Sequence, residues 1–141
     1  MKIDPVTEYF VRFFSASHVF FYRLCGGMSP LNRNTLILTT RGRKTGRRIA
    51  KPLLYVEHGG RLYLVASYGG SDSPPGWYRN LVANPEVSVE IGWSRKACRA
   101  RTLSTEEALS VWPKLLAIFP VYADYQRKTE RLIPIVELSP H

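Results

Sequence analysis

Residues 35–67 read TLILTTRGRKTGRRIAKPLLYVEHGGRLYLVAS, and this run decides the fold. Its first six residues, Thr35 to Thr40, are apolar or β-branched, the pattern of a buried strand. Residues 41–48 form a basic connection. Ile49 to Glu57 reads as one further strand, with Pro52 marking an edge or a bulge because proline brings no N–H to a ladder. His58-Gly59-Gly60 is a hairpin turn, and Arg61 to Ser67 is the returning strand. Strands joined by such short turns pair antiparallel.

The same reading extends toward the C-terminus. Gly69 to Gly76 is a loop of Gly, Ser, Asp and Pro. Trp77 to Ala83 is a short helix closed by Asn84-Pro85. Val87 to Ile91 alternates as a half-buried strand does, and Lys96 to Leu103 gives another. Ser104-Thr105-Glu106-Glu107 is a capping box that opens a helix to about Ile118, with a kink expected at Pro113. Residues 121–129 are a polar and aromatic segment. Leu132 to Leu138 is a closing strand, which Pro134 marks as an edge. The order predicts an α+β, mainly β, domain: a small antiparallel barrel with helices packed outside. No internal repeat or linker divides the 141 residues, so 1–141 reads as a single domain.

Toward the N-terminus, residues 5–24 read as an amphipathic helix within a segment spanning 1–30. Pro5 suits a first turn, Phe10, Phe13, Phe14, Val19, Phe20 and Phe21 supply the apolar content, and Cys25-Gly26-Gly27 ends it. Two readings are open: a helix packed on the barrel, or one lying in a membrane interface. Glu8, Arg12, His18 and Arg23 interrupt the apolar run, which excludes a span of about 20 apolar residues. No small-residue cleavage site follows it, which argues against a signal peptide. The expected location is cytoplasmic, with peripheral contact to the inner face of the cell membrane through residues 5–24.

The composition narrows the function. Hydrophobic residues make up 45% of the chain and charged residues 22%, which is globular rather than disordered. Two cysteines, Cys25 and Cys98, exclude a disulfide scaffold and zinc-finger spacing, and favour free thiols. His18, His58 and His141 lie far apart in sequence, so no metal site is expected. The net charge of +9 calls for an anionic partner.

Much of that charge lies in Arg41-Gly42-Arg43-Lys44-Thr45-Gly46-Arg47-Arg48, followed by Lys51. Arginine offers forked donors to phosphate or carboxylate, lysine a point charge, Thr45 a hydroxyl, and the glycines exposed amides. The stretch is an anion cradle on a strand-to-strand connection. It is not a P-loop, because strand rather than helix follows it. A solvated basic turn explains the charge equally well at this stage. Nucleic acid is not the expected ligand, since the chain carries no helix-turn-helix, zinc or ribonucleoprotein-type motif.

Three other features bear on a ligand. Ala66-Ser67-Tyr68-Gly69-Gly70 ends a strand in small residues whose backbone a flat ring could approach. Trp77 and Asn80 share one face of a short helix. Tyr122 and Tyr125 share a face if that segment is helical, and their phenols could bond a substrate oxygen or relay a proton. Each also has a purely structural reading, as flexible loop, core or amphipathic tyrosine. No nucleophile–base pair, nucleophile elbow or His-Glu-x-x-His stretch is present, so an enzyme of this sequence would lean on a cofactor.

Taken in order, these residues resemble the deazaflavin-dependent nitroreductase family of actinobacteria. The likeness runs from Leu36-Ile37-Leu38-Thr39-Thr40-Arg41-Gly42-Arg43-Lys44-Thr45-Gly46 through Pro52-Leu53, Tyr55, Gly59-Gly60 and Ala66-Ser67. It continues in Trp77-Tyr78, Asn80-Leu81, Ala83-Asn84-Pro85, Trp112-Pro113, Pro120, Tyr122, Asp124-Tyr125-Gln126 and Ile133-Pro134-Ile135-Val136.

The resemblance implies a split β-barrel that binds coenzyme F420, whose reduced form passes a hydride to a quinone, enone or nitroaromatic acceptor. It implies that Arg43, Lys44 and Thr45, with Arg47 or Arg48, hold the phosphate and oligoglutamate tail. Pro52, Ala66, Ser67, Tyr68, Gly69, Trp77, Tyr78 and Asn80 would complete the cofactor site. Tyr122, Tyr125 and Ser67 would serve the acceptor. Relatives active on bulky nitroaromatics carry tyrosines where this chain has Leu54 and Phe119, and a lysine at Tyr68. A non-catalytic F420 or lipid carrier on the same barrel is the alternative, and oligomeric state stays open.

Overall fold

The computed structural model describes residues 16–26, 34–70 and 73–140. The expected helix at 5–24 therefore lies partly outside the described residues; 16–25 are helical and are called α1. Then follow β1 (Thr35–Arg41), β2 (Arg48–Leu54), β3 (Val56–His58), β4 (Arg61–Val65), α2 (Gly76–Ala83), β5 (Glu86–Ile91) and β6 (Ser94–Thr102). The chain ends in α3 (Thr105–Ile118), α4 (Val121–Arg127) and β7 (Ile135–Pro140).

The strands form one antiparallel sheet in the order β2-β1-β5-β6-β7-β4-β3. Its edges, β2 and β3, are consecutive in the chain and separated only by Tyr55. The sheet curls until β2 comes beside β4. A split barrel results, with a seam between β2 and β4.

β1 is buried along six of its seven residues because both its faces are covered. Leu36 and Leu38 point into the barrel with Leu64, Val87, Val89, Val136 and Leu138. Ile37, on the opposite face, packs against Val19 and Tyr22 of α1. The Tyr22 hydroxyl donates to the Thr35 carbonyl (3.1 Å) and accepts from the Gly92 amide (2.9 Å), and Arg23 pairs with Glu90 (2.8 Å). Those bonds dock the described part of α1 on the barrel.

α3 and α4 cover the outer face of β3, β4 and β7 through Val111, Leu115 and Tyr122 against Val56, Tyr63, Val65 and Ile135. α2 closes one mouth with Leu81. Cys98 is a free thiol in the barrel core and Cys25 a free thiol on α1.

Several expectations need correction. The strand expected over Ile49 to Glu57 is two strands. β2 exhausts its register with β1 at Leu54↔Thr35, the Tyr55 amide turns to the Asn34 carbonyl (2.9 Å), and the chain crosses to the other edge. Pro52 does lie on an edge strand, whereas Pro134 does not mark one. β7 lies between β6 and β4 and starts one residue after Pro134, so the missing N–H costs no ladder bond. Residues 121–127 form a helix. The basic connection is shorter than expected, since Arg41 and Arg48 face each other as the last ladder pair.

Other expectations hold. Gly59 and Gly60 both take positive φ and turn β3 into β4. In the capping box the Glu107 amide donates to the Ser104 hydroxyl (3.2 Å), and the Ser104 amide to the Glu107 carboxylate (3.1 Å). α3 runs from Thr105 to Ile118 through Pro113, which is exposed.

Candidate active site

The seam opens into a cleft of 280 Å³. Pro52, Leu53 and Leu54 of β2 form one wall, and Leu64 and Val65 of β4 the facing wall. Ser67 and Tyr68 continue the second wall past the end of β4. Trp77 and Pro75 close one end, and Tyr122 and Tyr125 of α4 cover it. The two walls are separate because β2 and β4, though adjacent, are not hydrogen-bonded to each other. Six residues singled out from the sequence thus meet here: Pro52, Ser67, Tyr68, Trp77, Tyr122 and Tyr125.

The cleft is lined by apolar side chains together with Ser67, Tyr68, Tyr122 and Tyr125, and some of the donors of these four have no protein partner among the described residues. The Tyr122 hydroxyl and the Ser67 hydroxyl make no hydrogen bond among the described residues, and neither do the Ser67 and Tyr68 amides. Ser67 is nonetheless buried. The buried side-chain polar atom left without a partner among the described residues is Thr39 Oγ1 of β1, so the Ser67 and Tyr122 hydroxyls are open to the cleft rather than sealed, and they can bond an oxygen-bearing ligand there. Burial, reinforced by neighbouring Tyr125, pushes the Tyr122 phenol up to about 12. It is therefore a neutral donor at any physiological pH. Phe119 and Tyr125 hold its ring at centroid distances of 5.7 and 6.2 Å.

The basic turn is docked at the Trp77 end of the cleft. The Arg43 guanidinium donates to the Asn80 side-chain oxygen (2.8 Å) and the Gly76 carbonyl (3.5 Å), and the Arg43 amide to the same Asn80 oxygen (3.2 Å). Asn80 in turn donates to the Thr40 hydroxyl (3.3 Å) and is only 4% exposed. It lies beneath the turn, off the cleft surface. The Thr45 hydroxyl accepts from the Arg47 amide (3.2 Å) and tightens the turn. Arg41, Arg43, Lys44, Arg47 and Arg48 form no ion pair among the described residues, unlike Arg23, Arg61, Arg99 and Arg101. Among the described residues their charge is uncompensated, and all five are exposed.

The remaining residues lie close by. Ala66 is buried and donates its amide to the Pro134 carbonyl (3.0 Å). Gly69 belongs to a 3-10 turn over Tyr68–Gly70. Tyr78 bonds the Thr102 hydroxyl (3.1 Å) and anchors α2 rather than lining the cleft. Sequence reasoning missed Leu64 and Val65, which read as plain strand interior. It also missed Arg131, whose guanidinium bonds the carbonyls of Ala66 and Ser67. Nothing local marks Arg131 apart from other surface arginines.

A seamed barrel with a cleft that holds hydroxyl and amide donors, beside a cationic turn, can take a ligand that carries both a ring and an anionic tail. The model of the F420H(2)-dependent quinone reductase family matches residues 15–140, and the chain belongs to that family. A Mycobacterium tuberculosis protein assigned to the same reductase class is 38% identical over 106 residues, covering 75% of this chain and 89% of that one. A solved F420-H2 dependent reductase is 41% identical with a TM-score of 0.70, covering 76% of this chain and 95% of that one. Another solved structure, described as a domain-swapped dimer, is 37% identical with a TM-score of 0.72 and covers 88% of this chain and 93% of that one.

The residues present fit reduced F420. Its phosphate and acidic tail match the uncompensated cations, and its oxygen-bearing ring matches the unpaired amides. Among the described residues no cluster of His, Cys, Asp and Glu could hold a metal ion.

Proposed function

We propose that this chain catalyses hydride transfer from reduced F420 to a quinone held in the seam of the barrel. The observation that carries this reading is the group of donors without a protein partner among the described residues, on Ser67, Tyr68 and Tyr122, around one cleft next to cations that form no ion pair among those residues. Reduced F420, when bound, supplies the hydride. Arg43 and Lys44, with Thr45, Arg47 and Arg48, bind the phosphate and tail. The Ser67 and Tyr68 amides orient the ring. Pro52, Leu64 and Val65 exclude water, which strengthens every polar contact inside. Tyr122 keeps its proton and donates a hydrogen bond to the acceptor oxygen as negative charge develops there.

The acceptor range follows from the departures noted in the sequence. Leu54 lines the cleft at 41% exposure, Tyr68 lines it too, and Phe119 presses edge-on against Tyr122. Leu54 and Phe119 remove two hydroxyls from the acceptor side. That favours quinones and enones, which need one or two donors, over nitroaromatics.

Titration of oxidised F420 against protein fluorescence, with FMN as control, tests the reading, followed by turnover of reduced F420 with a soluble quinone. F420-selective binding and quinone-dependent oxidation are expected. Selective FMN binding, or F420 binding without turnover, would overturn it; the second outcome would point to a carrier.

The quinone acceptor bears on location. No helix among the described residues is long and apolar enough to cross a membrane. Yet α1 turns Phe20, Phe21 and Leu24 outward at 64%, 61% and 67% exposure, and Trp93 beside Gly26 is 70% exposed. Aromatic residues on an amphipathic helix with a positive protein behind them suit an anionic bilayer surface. Flotation with vesicles containing phosphatidylglycerol is expected to carry the protein upward, and Phe20→Ser/Phe21→Ser to release it. Wild-type protein left at the bottom of the gradient refutes the membrane reading.

A further inference from the structure

Arg131 belongs to no helix or strand; it lies between α4 and β7. One terminal nitrogen of its guanidinium donates to two consecutive carbonyls, those of Ala66 (3.1 Å) and Ser67 (2.8 Å). Beyond the Ala66 amide the β4–β7 ladder has ended, since Val65↔Ile135 is its last pair. Arg131 takes over where the ladder stops.

The two carbonyls belong to the peptide units whose N–H groups are the amides of Ser67 and Tyr68. Neither amide has an acceptor among the described residues, and both flank the cleft. A cation bonded to the oxygen of a peptide unit draws electron density from its N–H and makes it a stronger donor.

Arg131 is itself held. The Gln126 side chain donates to the Arg131 carbonyl (2.9 Å) and accepts from the Ile133 amide (3.0 Å). Gln126 lies on α4, the helix that carries Tyr122 and Tyr125. On the opposite side the Gly70 amide donates to the Ser67 carbonyl (3.0 Å). Gly70 has φ +81°, and a Cβ there would stand 2.7 Å from the Tyr125 carbonyl oxygen, so only glycine permits this approach to α4.

We infer that Arg131 is a positioning residue that fixes and polarises the Ser67 and Tyr68 amides as a two-donor cradle and ties that cradle to the helix bearing Tyr122. The inference rests on the proposed reading that ring and acceptor share this cleft. Arg131 touches neither; it sets the spacing between the surfaces that do.

Hydrogen exchange on the ligand-free protein tests it, with Arg131→Met and Arg131→Lys beside wild type. Faster exchange at the Ala66 and Gly70 amides, the hydrogen-bonded ones of this segment, is expected in the Met variant, with β1 and β2 unchanged. Because misplacement of reacting groups by about 1 Å costs roughly 10²-fold, quinone turnover by that variant is expected to fall toward that factor. F420 affinity is expected to fall much less than turnover, since the basic turn that holds the phosphate and tail is intact. The Lys variant, which keeps one donor, is expected to recover part of both effects.

Native exchange at 66–70 in the Met variant, or turnover lost only in proportion to F420 affinity, would overturn the inference. If the Met variant does not fold, the Lys variant decides: reduced turnover at native F420 affinity supports the inference, and native turnover refutes it. Failure of the cleft reading would show separately, as F420 binding to wild type without protection of residues 66–70.

Discussion

Replacing Arg43 and Lys44 together by alanine is expected to weaken F420 binding about a hundredfold. Each charge-assisted bond to a phosphate or carboxylate contributes about 1.5 kcal/mol in an exposed turn, and two of them make about 3 kcal/mol, or roughly 10²-fold. Neither side chain is paired with a carboxylate among the described residues, so their removal frees no buried acid, and the Asn80 oxygen that loses the Arg43 guanidinium keeps the Arg43 amide as a donor. The loss should shrink as salt rises, because screening already weakens the wild-type contact. Asn80→Ala should reproduce part of the effect from beneath the turn, since Asn80 holds both the amide and the guanidinium of Arg43. Fluorescence titration at two ionic strengths checks all three proteins. Unchanged affinity in the double variant would place the acidic tail elsewhere.

Tyr122→Phe is expected to lower quinone turnover by about 10²-fold, the usual consequence of removing one donor to a developing oxyanion. Affinity for F420 should be unchanged. Folding stability should also hold, because the Tyr122 hydroxyl makes no bond among the described residues while its ring packs beside Val111, Leu115 and Ile135.

The pH dependence carries a sign. Burial raises the phenol from 10.0 to about 12 in the folded chain. The raised value keeps the proton on the folded form, so stability is full below the unfolded value and declines as pH climbs from about 10 toward 12. Turnover should therefore show no alkaline inflection from Tyr122 near neutrality. Steady-state kinetics across pH with both proteins, and thermal melts alongside, check this. Native turnover in the Phe variant would remove Tyr122 from the reaction.

Local chemistry made part of this molecule legible. Gly59-Gly60, the Ser104–Glu107 box and the unbroken run of β1 each act within a few residues, so their reading survives into the structure. The basic turn was legible because its charges lack nearby acids in sequence and form no ion pair among the described residues.

Three features were not legible, for a shared reason. The break at Tyr55, the interior place of β7 and the grip of Arg131 on Ala66 and Ser67 all depend on segments far apart in the chain. Pro134 shows the cost of a local rule. A proline inside a strand means an edge, but a proline one residue ahead of a strand means nothing about its neighbours. Asn80 shows the converse: its helix position was read correctly, yet its engagement with Arg43 and Thr40 appears only when the turn and α2 are brought together.

The place of β7 has a consequence for how the protein comes into being. β7 follows the other six described strands in the chain, yet it is the one that joins β6 to β4. Until residues 135–140 emerge from the ribosome, the nascent chain holds two separate ribbons, β2-β1-β5-β6 and β4-β3, each with an open edge. The seam that forms the cleft cannot exist in that state, since its two walls lie on different ribbons. The proposed site therefore forms only once β7 has been made, and a chain cut short before Ile135 exposes the edges of β6 and β4 that β7 covers.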